Sequence, residues 1–140
     1  MPFVQSAFWI RGESMQLTEA QIKYLLALYE LQQQGAVRLT RIAERLHVSK
    51  PSVHRMLGQL EEFQLVDLSQ KGCLRLTEAG ISAALEYTEQ FQILMDFFTE
   101  VLGMSLEAAE QNATLLLGCG NGAAQEMCRC IQHYNMARLG

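Results

Sequence analysis

Between Thr40 and Leu76 the chain places two short apolar-periodic stretches on either side of His47-Val48-Ser49. Two alternating stretches then flank Gln70-Lys71-Gly72. Few folds accept a helix, a tight break, a second helix and a hairpin in that order and in so short a span. In RIAERL, which follows Thr40 as a side chain suited to cap a helix, Ile42 and Leu46 point one way. Ser49 caps the next helix, which runs to about Phe63 and tolerates Pro51 because the first turn leaves its N–H groups unpaired anyway. Leu65 to Ser69 and Cys73 to Leu76 alternate apolar with polar residues, the period of a half-buried strand.

The flanks are helical. Leu17 to Leu31 carries Ile22, Leu25, Leu26, Leu28, Tyr29 and Leu31 at helical spacing, with Thr18 as its cap. Thr77 caps a helix from about Glu78 to Leu102, with Ile81, Leu85, Phe91, Leu94, Met95, Phe98 and Leu102 as apolar positions and Gly103 as its stop. Ser105 caps another to about Leu117, with Leu106, Ala109, Ala113 and Leu116 on one side. After the break GCGNG a last helix runs from about Ala123 to Met136. The expected fold is mainly α: a winged helix-turn-helix DNA-binding domain over 17–78, then a helical dimerisation domain over 79–140. Residues 1–16 are an N-terminal extension, and its Phe3, Phe8, Trp9 and Ile10 favour an arm that packs on a partner subunit.

A net charge of −4 argues against a nucleic-acid binder until the charges are located. From Val37 to Leu76 seven basic residues face four acidic ones, a net of +3, so the remainder carries −7. A basic middle between acidic flanks suits a module that meets a polyanion. With 140 residues, 49% of them apolar, and two prolines, the chain can bury a core throughout. Its apolar runs are too interrupted to cross a bilayer. The first basic residue, Arg11, follows the apolar start, whereas a secretory leader would place it before, so a cytoplasmic chain is expected. The four cysteines, Cys73, Cys119, Cys128 and Cys130, are read as reduced thiols.

In SKPSVHRMLGQL the apolar Val53, Met56, Leu57 and Leu60 turn inward, leaving Lys50, Pro51, His54, Arg55 and Gly58 outside. Ser49, Ser52, His54 and Arg55 can bond base edges or phosphates, and Lys50 sits near a helix N-terminus that favours a phosphate. Lys71 and Arg75 charge the wing, and Thr40 and Arg41 are placed to hold the other strand's backbone. The partner so expected is double-stranded DNA. The bland alternative, a solvated basic helix face, explains the helix but not its coincidence with the turn, caps and wing. No enzyme signature appears, since GCGNG lacks the strand, lysine and helix of a phosphate loop.

The stretch from Tyr24 to Gly103 resembles the diphtheria-toxin-repressor and manganese-transport-regulator family of metal-dependent repressors. YLLALYEL is similar to that family's first helix, RLTRIAERLHVSKPSVHRMLGQLEEFQLV to its reading module, and KGCLRLTEAG to its wing. FFTEVLGMSLEAAEQNA resembles the opening of its dimerisation domain. The short C-terminus is similar to the manganese-type branch, which lacks a third, barrel-like domain. The resemblance implies a homodimer on a near-palindromic operator, with a divalent transition metal between the two domains. The ligand positions it implies are occupied here by Lys23 and Leu26, by Gln92 or Phe91 with Asp96 near, and by Thr114, Leu117 and Gly118. None of those ligand positions holds a carboxylate, imidazole or thiolate, so no metal is expected there. Apolar packing by Leu26 and Leu117, with Lys23 paired to Asp96 or Glu89, is the expected substitute.

Three alternatives stay open. Glu126, Cys130 and His133 stand at i, i+4 and i+7 on one helix face, and with Cys119 they form a candidate metal- or thiol-responsive site, from which Cys128 points away. A regulator of the multiple-antibiotic-resistance type is the rival winged-helix family. A winged-helix module that binds another protein is the third.

Overall fold

A computed structural model describes residues 9–10, 13–14, 16–70, 72–120 and 122–139. A short antiparallel pair, β1 (Trp9–Ile10) and β2 (Glu13–Ser14), precedes α1 (Glu19–Gln32). The rest of the expected arm lies outside the described residues. At the start of α1, Gln21 N–H donates to the Thr18 hydroxyl at 3.1 Å and Thr18 N–H donates to the Gln21 side chain at 2.9 Å. This reciprocal capping box satisfies two otherwise orphaned donors.

α2 (Leu39–Leu46) begins earlier than Thr40 predicts. Its cap is Arg38, with extended backbone and no side-chain bond, and Thr40 sits inside the first turn. The cause is tertiary. Val37 is buried and bridges to Leu74 of the wing, whose N–H donates to the Val37 carbonyl at 2.9 Å, so the chain is already extended up to Arg38. His47 closes α2 in the left-handed region at φ 56, and Ser49 then caps α3 (Lys50–Glu62) as predicted. The wing is β3 (Val66–Asp67) against β4 (Arg75–Leu76), with Val66 opposite Leu76 and Asp67 opposite Arg75. Its strands are shorter than the alternation predicts.

Thr77 caps α4 (Glu78–Asp96), which continues through a wider π-type turn, Phe97–Val101, before Gly103 at φ +73 ends it. α5 (Leu106–Gly118) and α6 (Ala123–Leu139) follow. α5 packs against both α4 and α1, and α6 returns along α4. Ala83 and Ala84 of α4 and Ala109 and Ala113 of α5 are buried, small enough for the helices to approach closely. One apolar cluster runs from Leu25, Leu28, Val53 and Leu57 through these alanines to Leu94 and Ile131. Not every apolar position of these helices is covered. Leu106, which shares one side of its helix with Ala109, Ala113 and Leu116, is 74% exposed, and Leu85 and Leu102 are half exposed. Among the described residues no helix is long and apolar enough to cross a membrane.

Candidate nucleic-acid interface

α3 presents two chemically opposite faces. Val53, Leu57 and Leu60 are buried, whereas Lys50, Pro51, His54 and Arg55 are exposed and Ser52 is half-buried. A period of 3.6 residues produces this division, and it matches the sequence reading on each of these positions. Met56 and Gly58 lie between the faces. The Ser49 hydroxyl accepts from Ser52 N–H at 3.2 Å and donates to the Ser52 hydroxyl at 2.9 Å. Ser49 is thereby committed to the cap, and Ser52 keeps its own hydroxyl proton to donate. Lys50, His54 and Arg55 meet no acid among the described residues.

The surroundings are less uniform. Thr40 and Arg41 are exposed at the start of α2, where Arg41 donates to the Gln34 side chain at 3.3 Å. Arg45, farther along α2, is taken by Glu30 at 2.6 Å. On the wing, Arg75 is exposed but lies across from Asp67. Hydrogen bonds from Ser69, with the nearby Arg75 charge, hold the Asp67 carboxyl below its ordinary value. Lys71 lies outside the described residues.

One positioning contact escaped the sequence reading. The Gln21 amide donates to Gln59 Oε1 at 3.0 Å, fixing the start of α1 to the far end of α3. Its partial signal was the Thr18-x-x-Gln21 spacing of a capping box. A recess of about 210 Å³ lined by Tyr24, Ser52, Arg55, Met56 and Gln59 lies beside the same junction.

A larger cleft of about 690 Å³ opens between α1, α2, α4 and α5, and Lys23, Leu26, Phe91 and Thr114 all line it. Four positions implied by the family resemblance thus meet in space. Lys23 pairs with Glu19 at 3.7 Å, not with Asp96 or Glu89, because Glu19 is one turn away on the same helix. Asp96 instead accepts from Gln92 at 2.7 Å, and the Thr114 hydroxyl donates to the Glu110 carbonyl at 2.7 Å. Leu117 is buried in the core, while Gly118 lies against the backbone of Glu19. An ammonium, three apolar side chains, an amide, a hydroxyl and a glycine do not fit a divalent metal. Glu19, Glu30 and Glu110 also line the cleft, but the first two are ion-paired. Among the described residues no three His, Cys, Asp or Glu side chains converge to hold a metal.

The C-terminal candidates are not gathered either. The Cys130 thiol lies 3.7 Å from Glu126 Oε2, but Arg129 grips that carboxylate and holds its pKa below the ordinary value. Cys119 and His133 are exposed and do not join them. Cys128 points away from that face as predicted and is buried, its thiol donating to the Gln90 carbonyl at 3.6 Å, and burial pushes its pKa up to about 11.

Residues 16–74 match the family described as iron dependent repressor, N-terminal DNA binding domain. Over 91 residues the chain is 32% identical to the diphtheria toxin repressor of Corynebacterium glutamicum, covering 64% of this chain and 40% of that protein. Over 99 residues it is 28% identical to the iron-dependent repressor IdeR of Mycobacterium tuberculosis, covering 70% and 43%. The chain therefore spans about two fifths of the length of the curated relatives it matches. The crystal structure of the metal-dependent transcriptional regulator MtsR shares the fold, with a TM-score of 0.71 at 19% identity over 84% of this chain and 55% of that one. The helix pair, the wing and these matches make residues 16–74 similar to the N-terminal DNA-binding domain of the iron dependent repressors, the diphtheria toxin repressor among them.

Proposed function

We propose that the chain is a sequence-specific DNA-binding transcriptional regulator, a repressor that acts as a homodimer on a near-palindromic operator. The carrying observation is α3, whose Lys50, His54 and Arg55 are exposed, with no acidic partner among the described residues, opposite the buried Val53, Leu57 and Leu60. In this reading residues 17–78 meet DNA and residues 79–140 form the dimer. Lys50, His54 and Arg55 approach the major groove with Pro51 and Ser52, Ser49 holds the helix start, and Thr40, Arg41, Lys71 and Arg75 contact the backbone. Exposed Leu85, Leu102 and Leu106 support a partner surface on the second half.

The reading departs from most of the family in one respect. The cleft holds Lys23, Leu26, Phe91 and Thr114 where the resemblance implies metal ligands, so the two halves are joined by direct packing and not by manganese or ferrous iron. Sedimentation velocity at micromolar protein, paired with titration onto duplexes selected from a random pool, tests the proposal. It requires a dimer and two half-sites about one helical turn apart, or a multiple of it. A monomer, or no enrichment of any duplex, refutes it.

A further inference from the structure

The cleft between α1 and α5 has a chemistry that DNA binding leaves unused. Its walls include Leu26, Leu46 and Phe91, and its volume of about 690 Å³ falls in the range of small-molecule sites. Its charges cancel in pairs with one exception. Lys23 is paired with Glu19 and Arg45 with Glu30, whereas the Glu110 carboxylate has neither a cation nor a hydrogen-bond donor among the described residues. The wall that α4 and α5 supply belongs to a segment of the same sign, since residues 79–140 carry seven acidic against two basic side chains. Phe91 adds an aromatic face, which attracts cations.

We propose that this cleft binds a drug-sized organic cation with an apolar body, its charge set against Glu110 and its body against Phe91 and Leu26. Glu110 is exposed, so it gives a cation an attraction that a neutral apolar ligand lacks, and an anion would meet an unpaired like charge. Leu26 and Leu46 belong to the DNA-reading half, Phe91 and Glu110 to the helices beyond it. An occupant therefore touches both halves and biases their relative placement. That regulatory consequence rests on the DNA-binding reading, while binding of the cation does not.

Isothermal titration of the full chain, without DNA, with tetraphenylphosphonium and with tetraphenylborate separates charge from shape, because the two ions are nearly the same size. The cation is expected to bind, and the anion to bind at least about tenfold more weakly. Glu110→Gln should remove most of that preference and Phe91→Leu should weaken the cation, whereas Glu107→Gln on the same helix should change neither. Equal affinity for the two ions, or an unaltered preference in Glu110→Gln, overturns the proposal. Binding of neither ion, the result expected if a second copy covers the cleft, overturns it as well, as does displacement of the cation by equimolar manganese. A cation that binds and leaves operator affinity unchanged removes the regulatory consequence alone and leaves the DNA-binding reading standing.

Discussion

Gly118 in the last turn of α5 lies directly on Glu19, the first residue of α1, so close that a Cβ at Gly118 would stand 2.9 Å from Glu19 Cβ and 3.0 Å from its Cα. The two halves of the molecule therefore touch backbone to backbone at a position where the family resemblance implies a metal ligand. Gly118→Ala forces α5 away from α1. The expected loss is about 1–3 kcal/mol, the usual range for overpacking. It should appear as a lower urea midpoint with an unchanged m value.

Gly80 is tighter still, because an added Cβ would lie 2.0 Å from the Leu65 carbonyl oxygen. That oxygen is held by Thr77 N–H at 3.0 Å and has no room to retreat. Gly80→Ala should destabilise by more than about 3 kcal/mol. Gly58 in the middle of α3 is the opposite case, since a methyl added there would meet nothing within 4 Å. Gly58→Ala should raise stability by about 0.5–1 kcal/mol through helix propensity. Thermal melts of the two variants side by side check both signs.

The exposed basic face of α3 was legible because one helical period sorts Val53 and Leu57 from Lys50, His54 and Arg55, and Thr18, Ser49, Thr77 and Ser105 cap as their sequence neighbourhoods indicate. Thr40 was misread because the pairing of Val37 with Leu74 is long-range and overrides a local cap signal. Leu106 has the right helical phase to point inward, but periodicity cannot tell a face covered by the same chain from one left bare. The cleft was hidden for a similar reason, since it draws side chains from four helices. Lys23 was assigned a distant acid although Glu19 stands one turn earlier, a spacing visible in the sequence.

Glu86 of α4 is buried with Oε1 lacking a hydrogen-bond partner among the described residues, and burial, aided by the nearby Glu89 charge, raises its pKa to about 8. Its ordinary value is 4.5. Between these limits the folded chain holds a proton that the unfolded chain has released, so stability from this group is full below the lower value and falls as pH rises toward the upper. Glu86→Gln should flatten that slope. Melting curves across the range should show the variant more stable than the parent at the alkaline end and equal to it at the acid end.

Replacing Lys50, His54 or Arg55 by Ala should leave the melting temperature nearly unchanged, because all three are exposed and have no ion pair among the described residues. DNA binding should respond differently to each role. A lost phosphate contact lowers affinity on every sequence and reduces the salt slope by about one, whereas a lost base contact relaxes preference at one position by about 1–3 kcal/mol. Val53→Ala, which opens the core behind the same helix, should cost stability first. Anisotropy titrations at several salt concentrations separate these outcomes, and three variants that bind like the parent would place the reading surface elsewhere.

The central claim is that α3 reads an operator while the two halves are held together without a metal. Its most direct test is one titration of chelator-treated protein onto the selected operator, repeated with manganese added. The account predicts superimposable binding curves in the two conditions and an unshifted melting temperature. An operator bound only when manganese is present, or bound about tenfold more tightly with it, a gain of about 1.4 kcal/mol, would contradict the account.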